Sequence, residues 1–390
     1  MKKRFRVIAL VLSLALLGSG CSRAPANGGE STNTNVNNTT KTENANQSKL
    51  DALSPDAYSN VDGLTLEPGS YISIIGRFSG DSYWKEVEAG AKQAVADINT
   101  LLGYKGDDKI KLTFSAPSER DNVDEQVNIL DEELARYPVA IAIAAVDTTA
   151  CQVQFEAAAD NGIPVVTFDS GSDYADIASH VSTNNLEASK TAADKLATLM
   201  ERSGEVAVFV QDSLSMTAKE REQGFVAELA ASFPDVSVVS VYHLDELETM
   251  AANIAAEKNA ALAEGEEGID PASITQEDVV KYILEKNPNL KGIYATNLDT
   301  TQLVADVLAS LERDDLYFVG FDGGEEQLEL LKDDVVDGLV IQNPYGMGYA
   351  AVVSAARAVL ELGNEAFVDS GYTWVTKDNM KEAEIKKMLY

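Results

Sequence analysis

Residues 139–146 read VAIAIAAV. Both alternating sets of positions are apolar, so as a strand this segment has no face that can meet water. Such strands belong to parallel sheets covered on both sides. The flanking sequence supplies the cover. Tyr71–Ile75, Ile110–Phe114, Ile163–Phe168 and Ile177–Ser182 are further short apolar runs. Between them, Trp84, Val87, Ala91, Ala94, Val95 and Ile98, then Val123, Val127, Leu130 and Leu134, recur at helical spacing, and Thr149–Asn161 is a third helix. The pattern then restarts, with strands at 206–210, 236–242, 292–295, 317–320 and 338–341 alternating with helical segments. About 320 residues run from Ser70 onward, too many for one modest core. Strand–helix alternation repeated twice predicts an α/β fold of two Rossmann-like lobes with parallel sheets.

The start of the chain has a different character. Lys2, Lys3, Arg4 and Arg6 precede the apolar run VIALVLSLALLGSG over 7–20, and Cys21 follows at once. The run is short of the roughly 20 residues that span a bilayer, and a basic start plus a short apolar core reads as a secretory signal. The Leu17-Gly18-Ser19-Gly20-Cys21 stretch resembles the lipobox of bacterial lipoproteins, in which the cysteine becomes a lipidated new N-terminus. That family has Leu three residues before the Cys, where Gly18 stands here, with Leu17 one position further back. Ordinary cleavage with Cys21 as a bystander is the competing reading. Residues 1–21 are expected as lipoprotein signal and Cys21 as the anchor, and 22–69 as a flexible tether, small and polar to about residue 50.

The formal net charge of −32 argues against nucleic-acid partners, which need a basic footprint. Only one cysteine besides Cys21 is present, so a lipidated chain has no intrachain disulfide to form. Cys151 is expected as a small buried residue at the start of a helix.

Ligands of open α/β sheets bind at the carboxyl ends of the strands. Here those ends carry Arg77-Phe78 and Asp81-Ser82-Tyr83-Trp84, Asp147-Thr148-Thr149, Asp169-Ser170, Gln211-Asp212-Ser213, Thr296-Asn297, Asp322, and Gln342-Asn343. Carboxylates and carboxamides pair with hydroxyls through more than one atom, and aromatic faces cover the C–H patches of a sugar ring. The collective pattern suits a polyhydroxylated solute. For any one residue, helix capping or turn chemistry competes.

The segments YISIIGRFSGDSYWKEVEAGAKQA, IPVVTFDSG, HVSTNN, TAKEREQGF, KGIYATN, VGFDGG and DGLVIQNPYGMG, in this order over about 70–377, resemble the type I periplasmic binding proteins of the ribose- and galactose-binding kind, which serve sugar ABC transporters. The resemblance implies a monosaccharide or related polyol held between two lobes joined by a three-segment hinge. Residues 70–183 plus 343–372 would form one lobe and 184–342 plus 373–390 the other. The hinge would be Thr183-Asn184, Asn343-Pro344 and Ser370-Gly371. It implies ligand contacts by Asp81, the stacking Tyr83 with Trp84 beside it, Asp169, Lys219 in place of an Arg, Asn297, Asp322 and Gln342. Ser170 stands where ribose binders have an Arg, and Leu298 where they have an Asp. Lys219 lacks the planar fork of Arg, Arg77 is the candidate substitute, and Arg221 is expected to support structure. Ribose held in the known way is therefore not expected. The extra segment EGEEGIDPASITQED lengthens the second lobe.

No nucleophile elbow, metal-ligating helix motif, P-loop or CxxC pair is present, and His180 and His243 stand apart, so catalysis and cofactors are not expected. The expected partners are a small solute, an ABC transporter permease and, through the lipid on Cys21, the outer face of the cell membrane. The protein itself is expected to be a monomer. A sensor subunit for a membrane histidine kinase or chemoreceptor, and a transporter protein for a non-sugar solute, remain open. A DNA-binding repressor with this body would need a basic helix-turn-helix ahead of residue 70.

Overall fold

A computed structural model describes residues 46–263 and 266–390. The signal, Cys21 and the first part of the expected tether lie outside these residues. The strands are β1 Tyr71–Ile75, β2 Lys111–Ser115, β3 Ala140–Ile143, β4 Val165–Phe168, β5 His180–Ser182, β6 Gly204–Val210, β7 Val236–His243, β8 Leu290–Ala295, β9 Tyr317–Phe321, β10 Gly338–Gln342, β11 Phe367–Asp369 and β12 Tyr372–Val375.

Two six-stranded sheets result, ordered β11-β5-β4-β3-β1-β2 and β12-β10-β9-β8-β6-β7. Apart from the edge strand, the second sheet repeats the first: its β7-β6-β8-β9-β10 corresponds to β2-β1-β3-β4-β5. All pairs are parallel except β10 with β12, which is antiparallel. The expected two-lobed α/β architecture is therefore present, with β11 and β12 as additions that the alternation did not reveal. Both are very short, and β12 begins at Tyr372, one residue before the expected lobe boundary.

The chain passes between the sheets three times, after β5, after β10 and between β11 and β12. At these crossings Thr183 Oγ1 donates to Gln342 Oε1 at 3.1 Å, Ser370 N to Ser182 O at 2.9 Å, and Asn343 Nδ2 to Ser370 O at 2.8 Å. All four side chains at the centre (Thr183, Gln342, Asn343 and Ser370) are buried, so the crossings form one hydrogen-bonded seam.

The helix Pro344–Val359, which starts at the second crossing, packs back on the first sheet beside the helix Ser82–Leu102. Glycine allows the close approach. A Cβ on Gly348 would sit 1.9 Å from the Val87 carbonyl oxygen, and one on Gly90 the same distance from that of Tyr345. The helix Ser82–Leu102 is thereby fixed with its N-terminus at the carboxyl end of the first sheet.

The expected tether does not extend to residue 69. Residues 46–69 fold as a short helix, Gln47–Asp51, and an irregular strap on the first lobe. Leu50, Leu53, Tyr58, Val61, Leu64 and Leu66 are all buried in the core of that lobe. Ser54 makes a two-way backbone bridge with Asp369, and Asn343 Nδ2 donates to Lys49 O at 2.6 Å. The polar tract ends near residue 47; the apolar residues beyond it are core.

In the second lobe the extra segment leaves the helix Leu247–Ala260 and returns through Ile269, which exchanges two hydrogen bonds with Asn259. Pro271–Ser273 packs against the helix Leu247–Ala260, and none of residues 266–278 lines the cleft. Among the described residues no helix is long and apolar enough to cross a membrane.

Candidate ligand-binding cleft

The carboxyl ends of both sheets face one cavity, lined by Arg77, Asp81, Tyr83, Trp84, Arg120, Asp121, Asp169, Gln211, Thr217, Arg221, Asn297, Leu298, Asp322 and Gln342. Its volume is about 60 Å³. One water needs about 10–15 Å³ on this scale, so the enclosed space is small, the size of a few waters.

Arg77 follows β1 and is 6% exposed. Its Nε donates to Asp121 Oδ1 at 2.8 Å, and its Nη2 lies 2.6 Å from the same oxygen and 3.1 Å from Asp212 Oδ2. Burial opposes its charge, but Asp121, Asp212 and Asp169 outweigh burial and hold the guanidinium firmly protonated. Asp81 caps the helix Ser82–Leu102 by accepting from Trp84 N at 2.9 Å, and its other oxygen accepts from Arg120 Nη2 at 2.9 Å. Arg120 also reaches Asp299 Oδ2 at 3.2 Å and lies 4.5 Å over the Phe78 ring. Arg77–Asp212 and Arg120–Asp299 each join the first lobe to the second, so the structure is a closed form.

Tyr83 and Trp84 start the first helix and meet edge to face at 5.2 Å, with Trp84 backed in turn by Phe168 at 6.3 Å. Tyr83 Oη donates to Asp169 Oδ1 at 2.5 Å. Asp169, 7% exposed, follows β4 with φ of 57°, and Asp322, equally buried, follows β9 with φ of 72°. Left-handed backbone is uncommon outside glycine, and Asp is among the residues that tolerate it. Asp322 Oδ1 accepts from Gln342 Nε2 at 2.6 Å and Oδ2 from Leu298 N at 2.9 Å. Burial raises the pKa of both carboxyls. Arg77 and the Tyr83 hydroxyl pull against it at Asp169, and Arg221 and Gln342 at Asp322.

From the second lobe, Gln211 Oε1 accepts from Thr296 Oγ1 at 2.6 Å, and Asn297 caps the helix Leu298–Ser310 by accepting from Thr300 N at 2.9 Å. Arg221 is buried on the helix Met216–Ser232. Its Nε donates to Asn185 Oδ1 and its Nη1 to Thr296 O, both at 2.8 Å, and the guanidinium lies 3.9 Å over Phe321.

The structure thus brings Arg77, Asp81, Tyr83, Trp84, Asp169, Asn297, Asp322 and Gln342 around one cavity and leaves two expected residues outside it. Lys219 is exposed, with its Nζ donating to Leu214 O at 2.8 Å. The turn of the helix aims Arg221, two residues on, at the cleft instead, so Arg221 both supports the fold and lines the cavity. Ser170 is fully buried beneath the β4 end and does not line it. Sequence reasoning missed Arg120 and Asp121. They sit in the loop after β2, to which the strand-end rule applied equally. Thr217 was missed because it belongs to a helix, not a strand end.

Two α/β lobes enclosing a polar cleft at their strand ends define a two-lobed solute-binding protein. Residues 72–365 match the periplasmic binding protein domain, and the chain belongs to that family. A D-apiose import binding protein of Actinobacillus succinogenes is 24% identical over 291 residues, 74% of this chain and 81% of that relative. A carbohydrate transporter solute-binding protein from Agrobacterium radiobacter, solved in complex with D-arabinose, superposes with a TM-score of 0.67 at 26% identity, covering 82% of this chain and 99% of that one. An arabinose-binding protein from Geobacillus stearothermophilus gives 0.63 at 25% identity, covering 83% and 100%.

Proposed function

We propose that this chain is the extracytoplasmic substrate-binding lipoprotein of an ABC transporter and captures one neutral monosaccharide or related polyol between its lobes. The observation that carries the solute class is the charge balance of the cleft. Three arginines and four aspartates line it, without a lysine. Arg77 and Arg120 are already committed to carboxylates of both lobes. Among the described residues, the cleft holds no excess of cations to neutralise a phosphate or acid sugar, while its carboxylates and carboxamides keep acceptor and donor sites for hydroxyls. Trp84 and Tyr83 offer the apolar wall that a pyranose or furanose ring needs. The binding of apiose and arabinose named for relatives supports the same class. The small cavity argues against an oligosaccharide.

Binding, not chemistry, is the proposed role. Closure would bring 70–183 with 343–372 against 184–342 with 373–390, and the closed shape would be what a permease recognises. Lipid on Cys21 would hold the body at the outer face of the cell membrane; Cys21→Ser should release the protein from the membrane fraction into the soluble one.

The first test is calorimetric titration of the body starting at residue 46 with pentoses, hexoses, polyols, sugar acids and amino acids. A neutral sugar should bind, and at a hundred times its Kd should add about 2.7 kcal/mol to stability. Binding by a sugar acid or an amino acid alone overturns the solute class.

A further inference from the structure

Tyr390 carries no motif and was not among the expected ligand contacts. After β12 the chain turns through the helix Ala383–Met388 and places the Tyr390 side chain behind the cleft wall. Its ring meets the Tyr83 ring edge to face at 5.8 Å. Its hydroxyl accepts from Gly323 N at 3.2 Å and donates toward Asp322 Oδ1 at 3.5 Å. The same ring packs against the hydrophobic cores of both lobes. One side chain therefore touches the aromatic wall of the first lobe and the strand-end aspartate of the second. Through Tyr83 Oη it is also one step from Asp169.

Hydrogen-bond capacity says what this contact does. A carboxylate offers about four acceptor sites. Asp322 uses one for Gln342, one for the Leu298 backbone and one toward Tyr390. About one site is then left for a solute hydroxyl, and its direction is fixed by the other three. The phenol is a dependable donor, because burial and the nearby carboxylates of Asp322 and Asp81 keep it protonated. Gly323 N occupies the oxygen from the other side and leaves the hydroxyl proton for Asp322.

We propose that Tyr390 is a positioning residue for sugar specificity: it fixes the Asp322 carboxylate and the Tyr83 ring in the one arrangement that reads hydroxyl orientation. The inference rests on the sugar-binding reading above. Without the hydroxyl, the Asp322 carboxylate loses one of the three contacts that fix its direction and can turn to meet a solute hydroxyl from a second direction, so epimers become harder to tell apart.

The test is Tyr390→Phe, which removes one oxygen and keeps both ring contacts. Wild type and variant are titrated with the best sugar, its epimers and the deoxy sugars lacking one hydroxyl each. The melting temperature of the ligand-free variant should stay within about 2 °C of wild type. The best sugar should weaken about two- to tenfold, the worth of one ordinary hydrogen bond, and its preference over at least one epimer should fall by a similar factor. One deoxy sugar, missing the hydroxyl that Asp322 holds, should bind both proteins equally. Unchanged affinities overturn the inference, and so does a uniform loss across all sugars, which is the mark of a merely structural role. Wild type that binds no sugar at all overturns the functional reading instead, before the variant is reached. Tyr390→Leu, which also removes the ring from Tyr83, should lose more affinity than Tyr390→Phe; equal losses would mean that the Tyr83 contact contributes nothing.

Discussion

Asp169 and Asp322 are the same residue of the two lobes. Each follows a Phe that ends the fourth strand of its sheet, each is left-handed, and each backbone N–H donates to the fifth strand, Asp169 to Val181 O at 2.9 Å and Asp322 to Val340 O at 2.8 Å. The sequences TFDSG and GFDGG are local copies of one turn. The two lobes thereby aim a buried carboxylate each at the cavity between them.

That pairing has a pH signature. A carboxyl whose pKa is raised by burial binds its proton more readily folded than unfolded. It therefore costs stability above its folded pKa, and that cost disappears as pH falls toward the unfolded value of about 4. Asp169→Asn should accordingly leave the ligand-free melting temperature at pH 7 unchanged or raised, while weakening sugar at least about tenfold. In wild type the affinity should fall as pH drops from neutral toward the unfolded value of about 4, and titrations of Asp169→Asn over the same range should be flatter. A wild-type affinity independent of pH would remove the carboxylates from the ligand contacts.

Arg77 and Arg120 both tie the lobes together, but in different surroundings. Arg77 and Asp212 are buried, whereas Arg120 and Asp299 are each about a third exposed. Arg77→Ala leaves Asp121 and Asp212 without their cation and should cost about 3–5 kcal/mol in urea unfolding. Arg120→Ala should cost under about 1 kcal/mol and instead shift the ligand-free protein toward an open form, seen as a larger radius of gyration in X-ray scattering. Equal stability losses would contradict this division.

The helix that carries Lys219 and Arg221 separates a surface residue from a cleft residue. Lys219→Ala should change sugar affinity by less than about twofold, as expected of a surface substitution. Arg221→Lys should weaken it at least about tenfold, since an ammonium cannot serve Asn185, Thr296 and the cavity at once. A strong effect at Lys219 would mean that the helix turns differently when solute is bound.

The strap over 46–69 sets where a stable body must begin. Burying each large apolar side chain is worth about 1.5–3 kcal/mol, and Leu50, Leu53, Tyr58, Leu64 and Leu66 are all lost if the chain starts at residue 70. Such a protein should melt well below one starting at residue 46, or fail to accumulate in soluble form. Equal melting temperatures would return the strap to the tether.

Periodicity and strand-end chemistry are local properties, and whatever depends on them was legible along the chain. VAIAIAAV at 139–146 required a sheet covered on both faces, and the restarting alternation required two lobes. Arg77, Asp81, Tyr83, Asp169 and Asp322 stood at strand ends, where a parallel sheet exposes its site. The remaining features depend on how distant segments meet. Whether Lys219 or Arg221 faces the cleft depends on the rotation of one helix against the sheet, about 100° per residue. Ser170 lies one residue past a strand-end ligand candidate and is lost to the core because the backbone at Asp169 is left-handed. Arg120 and Asp299 become partners only when two lobes distant in sequence close. Residues 46–69 and Tyr390 are too far along the chain from the groups they touch for any period to report the contact; their apolar burial is settled by where the three crossings bring the lobes together.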